Sequence, residues 1–188
     1  MNEIWIYLQL GVEHVLDFSA IDHMLFISAL VLPYTLKEWK ILLWWVSLFT
    51  VGHTASLIGN YYFGWNPSPY AIELLIPISI AVSCLPLMAY QQNNKLPTLY
   101  TIITLVFGVI HGFGFSGYFR MMIPQDSAEK ALFSFALGVE VAQICIVVAV
   151  LILGFIGVQL FRIKPKYWSM IGGAMIFSQA LGMILERV

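Results

Sequence analysis

Six apolar stretches, each long enough to cross a bilayer, follow one another along this chain. They run from about Ile4 to Leu32, Trp39 to Phe63, Pro69 to Tyr90, Leu96 to Tyr118, Ser127 to Phe161 and Tyr167 to Leu185. A helix needs roughly 20 apolar residues to span the hydrocarbon core. Turn formers separate the stretches: Pro33-Tyr34-Thr35, Asn66-Pro67-Ser68-Pro69, Gln91-Gln92-Asn93-Asn94 and Ile123-Pro124-Gln125-Asp126. The expected fold is an all-α integral membrane protein, a bundle of about six transmembrane helices in a single domain over residues 1–188. Only 10% of the residues are charged, against about 25% in soluble domains. That is too little polar surface to cover a globule in water, so the solvent is lipid.

Loops one, three and five carry Lys37, Lys40, Lys95, Arg162, Lys164 and Lys166; the opposite side carries Arg120, Lys130 and Arg187. Positive charge favours the cytoplasm, so the expected setting is the cell (inner) membrane, multi-pass, with both termini on the outer, periplasmic side. The N-terminal residues lack a basic start and a small-residue cleavage site, so no removable signal is expected. Asp126 and Glu129 are spaced to cap the fifth helix. The first stretch is too long and polar for one plain helix. A break near Asp17-Phe18-Ser19, with Asp17 or Ser19 capping a second piece, would divide it, the first piece lying in the outer interface or re-entering the membrane. Net charge is −1, with no basic tract, which gives no reason to expect nucleic acid. Cys84 and Cys145 sit in apolar stretches and read as small fillers.

The groups that do not belong in lipid carry the functional signal. All four histidines, His14, His23, His53 and His111, fall inside apolar stretches, as do Glu13, Asp17, Asp22, Glu73 and Glu140. A charge at the bilayer centre costs about 2.5–3.5 kcal/mol on insertion scales, so such groups turn inward and partner one another. Counting residues from the outer ends places Asp22, His23, His53, Glu73, His111 and Glu140 in one layer open to the outside. His53 and Ser56 share a helix face, as do Glu140 and Gln143. Pro77 removes the hydrogen bond that the Glu73 carbonyl would accept, and a kink is expected there. Imidazole with carboxylate suits divalent nickel, cobalt, zinc or iron. Phe49 to Gly59 matches Phe107 to Gly117 at four positions, too few in a glycine-rich background to carry an argument.

Gly11-x-x-His14 with Ile21-Asp22-His23-Met24-Leu25-Phe26 resembles the opening signature of the HupE/UreJ family. Further blocks continue the likeness: Phe49-Thr50-x-x-His53-Thr54-x-Ser56-Leu57, Glu73 with Ile78-Ser79-Ile80, Phe107-Gly108-x-x-His111-Gly112-x-Gly114-Phe115, and Gly138-Val139-Glu140-x-x-Gln143. That family comprises small membrane proteins associated with hydrogenase and urease maturation and regarded as nickel or cobalt permeases. Position by position, the resemblance implies metal-handling roles for His14, Asp22, His23, His53, Glu73, His111 and Glu140.

Two functions follow. One is a secondary transporter of Ni²⁺ or Co²⁺ through a His/carboxylate site open to the outer side. The other is an intramembrane zinc-dependent hydrolase acting on a lipid or lipidated peptide. There, bound metal would activate water, Asp22 or Glu140 would act as base, and Ser56 or Ser79 would stabilise an oxyanion. Either way the partners are the bilayer and a divalent metal ion (Ni²⁺, Co²⁺ or Zn²⁺) as substrate or cofactor, and a homo-oligomer is compatible with both. A transporter needs polar groups continuing to the cytoplasmic face, whereas Ile41 to Val46 and Ile144 to Gly154 are almost wholly apolar.

Overall fold

The computed structural model describes residues 3–89, 97–123 and 127–188. They form seven α-helices: α1 (Glu3–Val15), α2 (Asp22–Val31), α3 (Trp39–Phe63), α4 (Pro69–Met88), α5 (Pro97–Met122), α6 (Ala128–Phe155) and α7 (Pro165–Leu185). A 3₁₀ turn at Leu36–Glu38 leads into α3, and a π turn at Ile156–Leu160 ends α6. Helices α3 to α7 are each long and apolar enough to cross a membrane, while α2 is a shorter apolar helix. This is the all-helical membrane bundle expected, with the first stretch divided in two.

Local chemistry sets the boundaries. Pro69 and Pro165 sit in the first turns of α4 and α7, where a missing N–H costs nothing. Gly64 ends α3 in a left-handed conformation, φ 69°, which glycine adopts without penalty. Helix α4 runs on through Pro77 and Pro86 as one element. The break in the first stretch falls where expected, but neither Asp17 nor Ser19 caps α2. Asp17 instead accepts hydrogen bonds from the Ser19 backbone N–H (2.8 Å) and hydroxyl (2.6 Å), folding the loop on itself. Ile21 precedes α2 without a side-chain cap, and the first-turn carboxylate of Asp22 accepts from the His23 N–H at 2.9 Å. The Asp126 cap lies outside the described residues.

Burial is distributed as it is in lipid. Large apolar side chains such as Trp44, Val51, Leu75, Ile102, Val141, Ile152 and Ile171 face outward, whereas His23, Thr50, His53, Ser79, Thr104, His111 and Gln143 are buried. The most extensive packing joins α3 to α5, α1 to α6, and α4 to α7. Small residues permit this closeness. A Cβ on Gly108 would meet the Phe49 carbonyl oxygen at 2.3 Å, and one on Gly138 would meet the Leu8 carbonyl oxygen at 2.1 Å.

These contacts also give directions. Gly52 lies against Leu105 and Val109, and Gly112 against His53 and Ser56, so α3 and α5 run parallel. Gly11 lies against Phe135 and Val139, Gly138 against Leu8, and the His14 ring beside Phe135, so α1 and α6 run antiparallel. Of the two placements expected for the first piece, an interfacial one is replaced by lengthwise packing on α6. Its start points toward the end of the bundle that carries the α2–α3 loop. Helix α7 finishes toward the other end.

Candidate metal centre

Four helices bring the histidines together near the outer third of the bundle, taking the α2–α3 loop as inner. His14 comes from the last turn of α1, His23 from the first turn of α2, His53 from α3 and His111 from α5. The His23 ring centroid lies 4.7 Å from His14, 5.0 Å from His111 and 6.0 Å from His53; His14 and His53 are 5.5 Å apart. Each of His14, His23 and His53 offers a nitrogen within 4.8 Å of the others. Two nitrogens on one tetrahedral ion at 2.0–2.1 Å bond lengths sit roughly 3.3 Å apart, so shifts of about an ångström would close the set around an ion.

Hydrogen bonding leaves a particular nitrogen free. His23 Nδ1 lies 3.1 Å from Asp22 Oδ1, and His111 Nδ1 lies 2.9 Å from the Phe107 carbonyl oxygen. Both partners are acceptors, so each Nδ1 carries a proton and Nε2 is the nitrogen left for other partners. Among the described residues, the Nε2 atoms of His14, His23, His53 and His111 are all buried without a hydrogen-bond partner. Buried polar atoms are ordinarily paired. The unpaired nitrogens of His14, His23 and His53, which lie close together, suit a cation that accepts their lone pairs, with His111 beside His23. Asp22 stands one shell out, orienting His23 and offsetting cationic charge, as carboxylates behind metal-bound histidines do.

Aromatic rings enclose the chamber. Phe115 packs on His14 at 4.0 Å and Phe135 stacks on His53 at 5.9 Å. One turn toward the inner end, Phe26, Phe49 and Phe107 form a floor, with Phe49 5.3 Å from His111 and Phe26 4.8 Å from Phe107. On the outer side, His14 borders a cavity of about 790 Å³ lined also by Glu13, Asp17, Phe18, Phe115 and Tyr118. Asp17 is fully exposed there, and the two Ser19 hydrogen bonds hold its carboxyl below the ordinary value.

The expected single layer of ionisable groups divides. His14, Asp22, His23, His53 and His111 come together. Glu73 is exposed on α4, and Glu13 is exposed and accepts from the Gln9 amide at 2.8 Å. Glu140 lies further in, accepting from the Ser47 hydroxyl at 2.5 Å. Ser47 sits six residues, roughly 9 Å of helix rise, inward of His53. The Ser56 hydroxyl donates to the His53 carbonyl at 2.8 Å, and Ser79 donates to the Ile76 carbonyl. Ser47 and Thr50 were not singled out from sequence, although their three-residue steps from His53 were there to see.

The fold and site define a polytopic membrane protein with a buried imidazole-lined chamber beside an outer cavity. The chain belongs to the HupE/UreJ family: the family model described as HupE / UreJ protein matches residues 1–187, essentially the whole chain. No curated protein and no solved structure matches it.

Proposed function

We propose that this protein is a secondary transporter of a divalent transition metal, Ni²⁺ or Co²⁺, which enters the four-histidine chamber from the outer side. The observation that carries this reading is the set of four buried, unpartnered Nε2 atoms. Family membership points to the same chemistry. The donors are imidazoles without thiolate among them, a set that favours borderline divalent ions and lets them exchange. The lysine and arginine bias orients the α2–α3 loop toward the cytoplasm. The 790 Å³ cavity beside His14 then faces outward, in the inner membrane of the cell, with α7 ending outside.

Uptake begins at this cavity, where Asp17 and Glu13 raise the local concentration of cations. His14 and His23 then take the ion from water, and His53 and His111 complete its shell. The hydrolase reading is weaker, because the hydroxyls of Ser56 and Ser79 are engaged by carbonyls of their own helices. The test is Ni²⁺ and Co²⁺ influx into sealed proteoliposomes, with His53→Ala alongside. Saturable influx lost in the variant is the expected result. Stoichiometric metal retention with no influx would overturn the transporter reading and return attention to hydrolysis.

A further inference from the structure

At the inner end of the bundle lies a second cavity, of about 390 Å³, set apart from the histidines. Along α6, Phe135 beside His53 and Leu151 in this cavity are sixteen residues apart, roughly 24 Å of helix rise. Leu36 and Lys37 reach the cavity from the α2–α3 connection, Leu151, Phe155 and Gln159 from the end of α6, and Trp168 from the start of α7. Specific packing builds its back wall. The Ser169 hydroxyl donates to the Leu32 carbonyl at 3.4 Å, joining α7 to the end of α2. Trp168 packs closely on α6, where a Cβ on Gly157 would meet its ring at 2.8 Å.

The cavity changes chemistry along its length. Leu151 and Gln159 are eight residues apart on the same strand of helix, roughly 12 Å of rise. Leu151 and Phe155 make the deep end apolar, while Lys37 and Gln159 are exposed at the shallow end. Trp39 and Tyr167 stand exposed in the first turns of α3 and α7, and such residues mark the headgroup level of a bilayer. The shallow end therefore lies among headgroups and the deep end among acyl chains. A free anion would use only the first, whereas an amphiphile matches both. Charge fixes the sign of the headgroup. The two inner connections and the turns that follow them carry Lys37, Lys40, Arg162, Lys164 and Lys166 against one acid, Glu38. That carboxylate already accepts from the Thr35 backbone N–H at 3.0 Å and hydroxyl at 3.1 Å.

We infer that this cavity holds one anionic phospholipid of the inner leaflet, with its phosphate at Lys37 and Gln159 and an acyl chain along Leu151 and Phe155. Basic pockets between membrane helices on the cytoplasmic side suit such headgroups, and the cytoplasmic leaflet supplies them. The seated lipid bridges the α2–α3 connection, the end of α6 and the start of α7. A ligand that binds only the folded bundle also stabilises it by mass action. Occupancy of this site does not depend on which ion the histidines bind.

The experiment is native mass spectrometry of the full chain in detergent, titrated with phosphatidylglycerol or with phosphatidylcholine of the same acyl chains. The wild type is expected to bind one phosphatidylglycerol about fivefold or more tightly than phosphatidylcholine. Lys37→Glu should abolish that preference. Lys40→Glu, three residues on at the same basic end but outside the cavity, should keep it within about twofold. Val158→Trp, which fills the cavity from its wall, should weaken both lipids. Lys37→Gln carries the test if Lys37→Glu fails to fold. A wild type that binds the two lipids equally would overturn the inference. Equal losses in Lys37→Glu and Lys40→Glu would overturn it too, by showing a diffuse attraction to the basic end. Displacement of the lipid by millimolar inorganic phosphate would replace it with a free-anion site.

Discussion

The outer and inner halves of this bundle solve opposite problems. In the outer half, four helices deliver histidines to one level and leave their Nε2 atoms unpaired. In the inner half three of these helices deliver Phe26, Phe49, Phe107, Trp45 and Tyr100, all buried. An unpaired buried nitrogen costs free energy, and a packed aromatic layer recovers it elsewhere through dispersion and shape. The contrast teaches that this bundle keeps its polar nitrogens in one layer and its aromatic packing in the next. The α3–α6 seam departs from this pattern, carrying polar side chains into the aromatic half.

Removing a ligand should break the contrast most severely. His53→Ala takes one nitrogen from the chamber and is expected to lower Ni²⁺ affinity more than about 100-fold by equilibrium dialysis, with the protein still inserted. Unchanged affinity would mean that the ion is held elsewhere. Asp22→Asn leaves all four rings but weakens the orientation and charge behind His23. Its expected cost is about 10–100-fold in affinity, smaller than that of His53→Ala in a side-by-side titration.

Gly108→Ala tests how the two layers are kept level. Its Cβ would meet Phe49 O at 2.3 Å, so α3 and α5 must separate, at a cost of about 1–3 kcal/mol in denaturant or thermal unfolding. Tolerance without loss would show that the backbone contact is softer than it looks. Phe107→Leu keeps the floor apolar and should change stability by less than about 1.5 kcal/mol and affinity hardly at all. A large affinity loss there would make the floor part of the chamber.

Asp17→Asn should give the smallest effect, a roughly two- to threefold slowing of initial influx that disappears at high salt, where exposed charges are screened. The Asp17 carboxyl is depressed, so it is ionised throughout the range above the ordinary carboxylate pKa. Its contribution persists there and is lost only as pH falls through the depressed value. The wild-type advantage over Asp17→Asn should therefore vanish only on acidification. Influx measured against pH would detect any other pattern.

Much of this was legible before any coordinates. The spans, the break near Asp17 and the family could be read because lipid imposes length and apolarity on every crossing helix. The histidines stood out because ionisable groups in such helices need a reason to be there. Glu73 and Glu140 stand apart from the histidine cluster. Counting residues gives depth along a helix but not azimuth, so Glu73 falls at a suitable depth and still faces outward. Glu140 shows the limit on depth as well, since it meets Ser47 rather than a histidine. The repeat between Phe49–Gly59 and Phe107–Gly117 was too thin to use as sequence. With α3 and α5 parallel, it places a phenylalanine and a histidine from each helix in the same two layers.

Sequence alone determined the solvent, the helices, and the residues that cannot be idle in lipid, because those follow from local composition and length. Tertiary structure decided which of those residues meet, which way α1 runs, and which ring nitrogens stay unpaired. Those depend on helix rotation and on the close approaches at Gly11, Gly108 and Gly138, and they exist only once helices distant in the chain have packed.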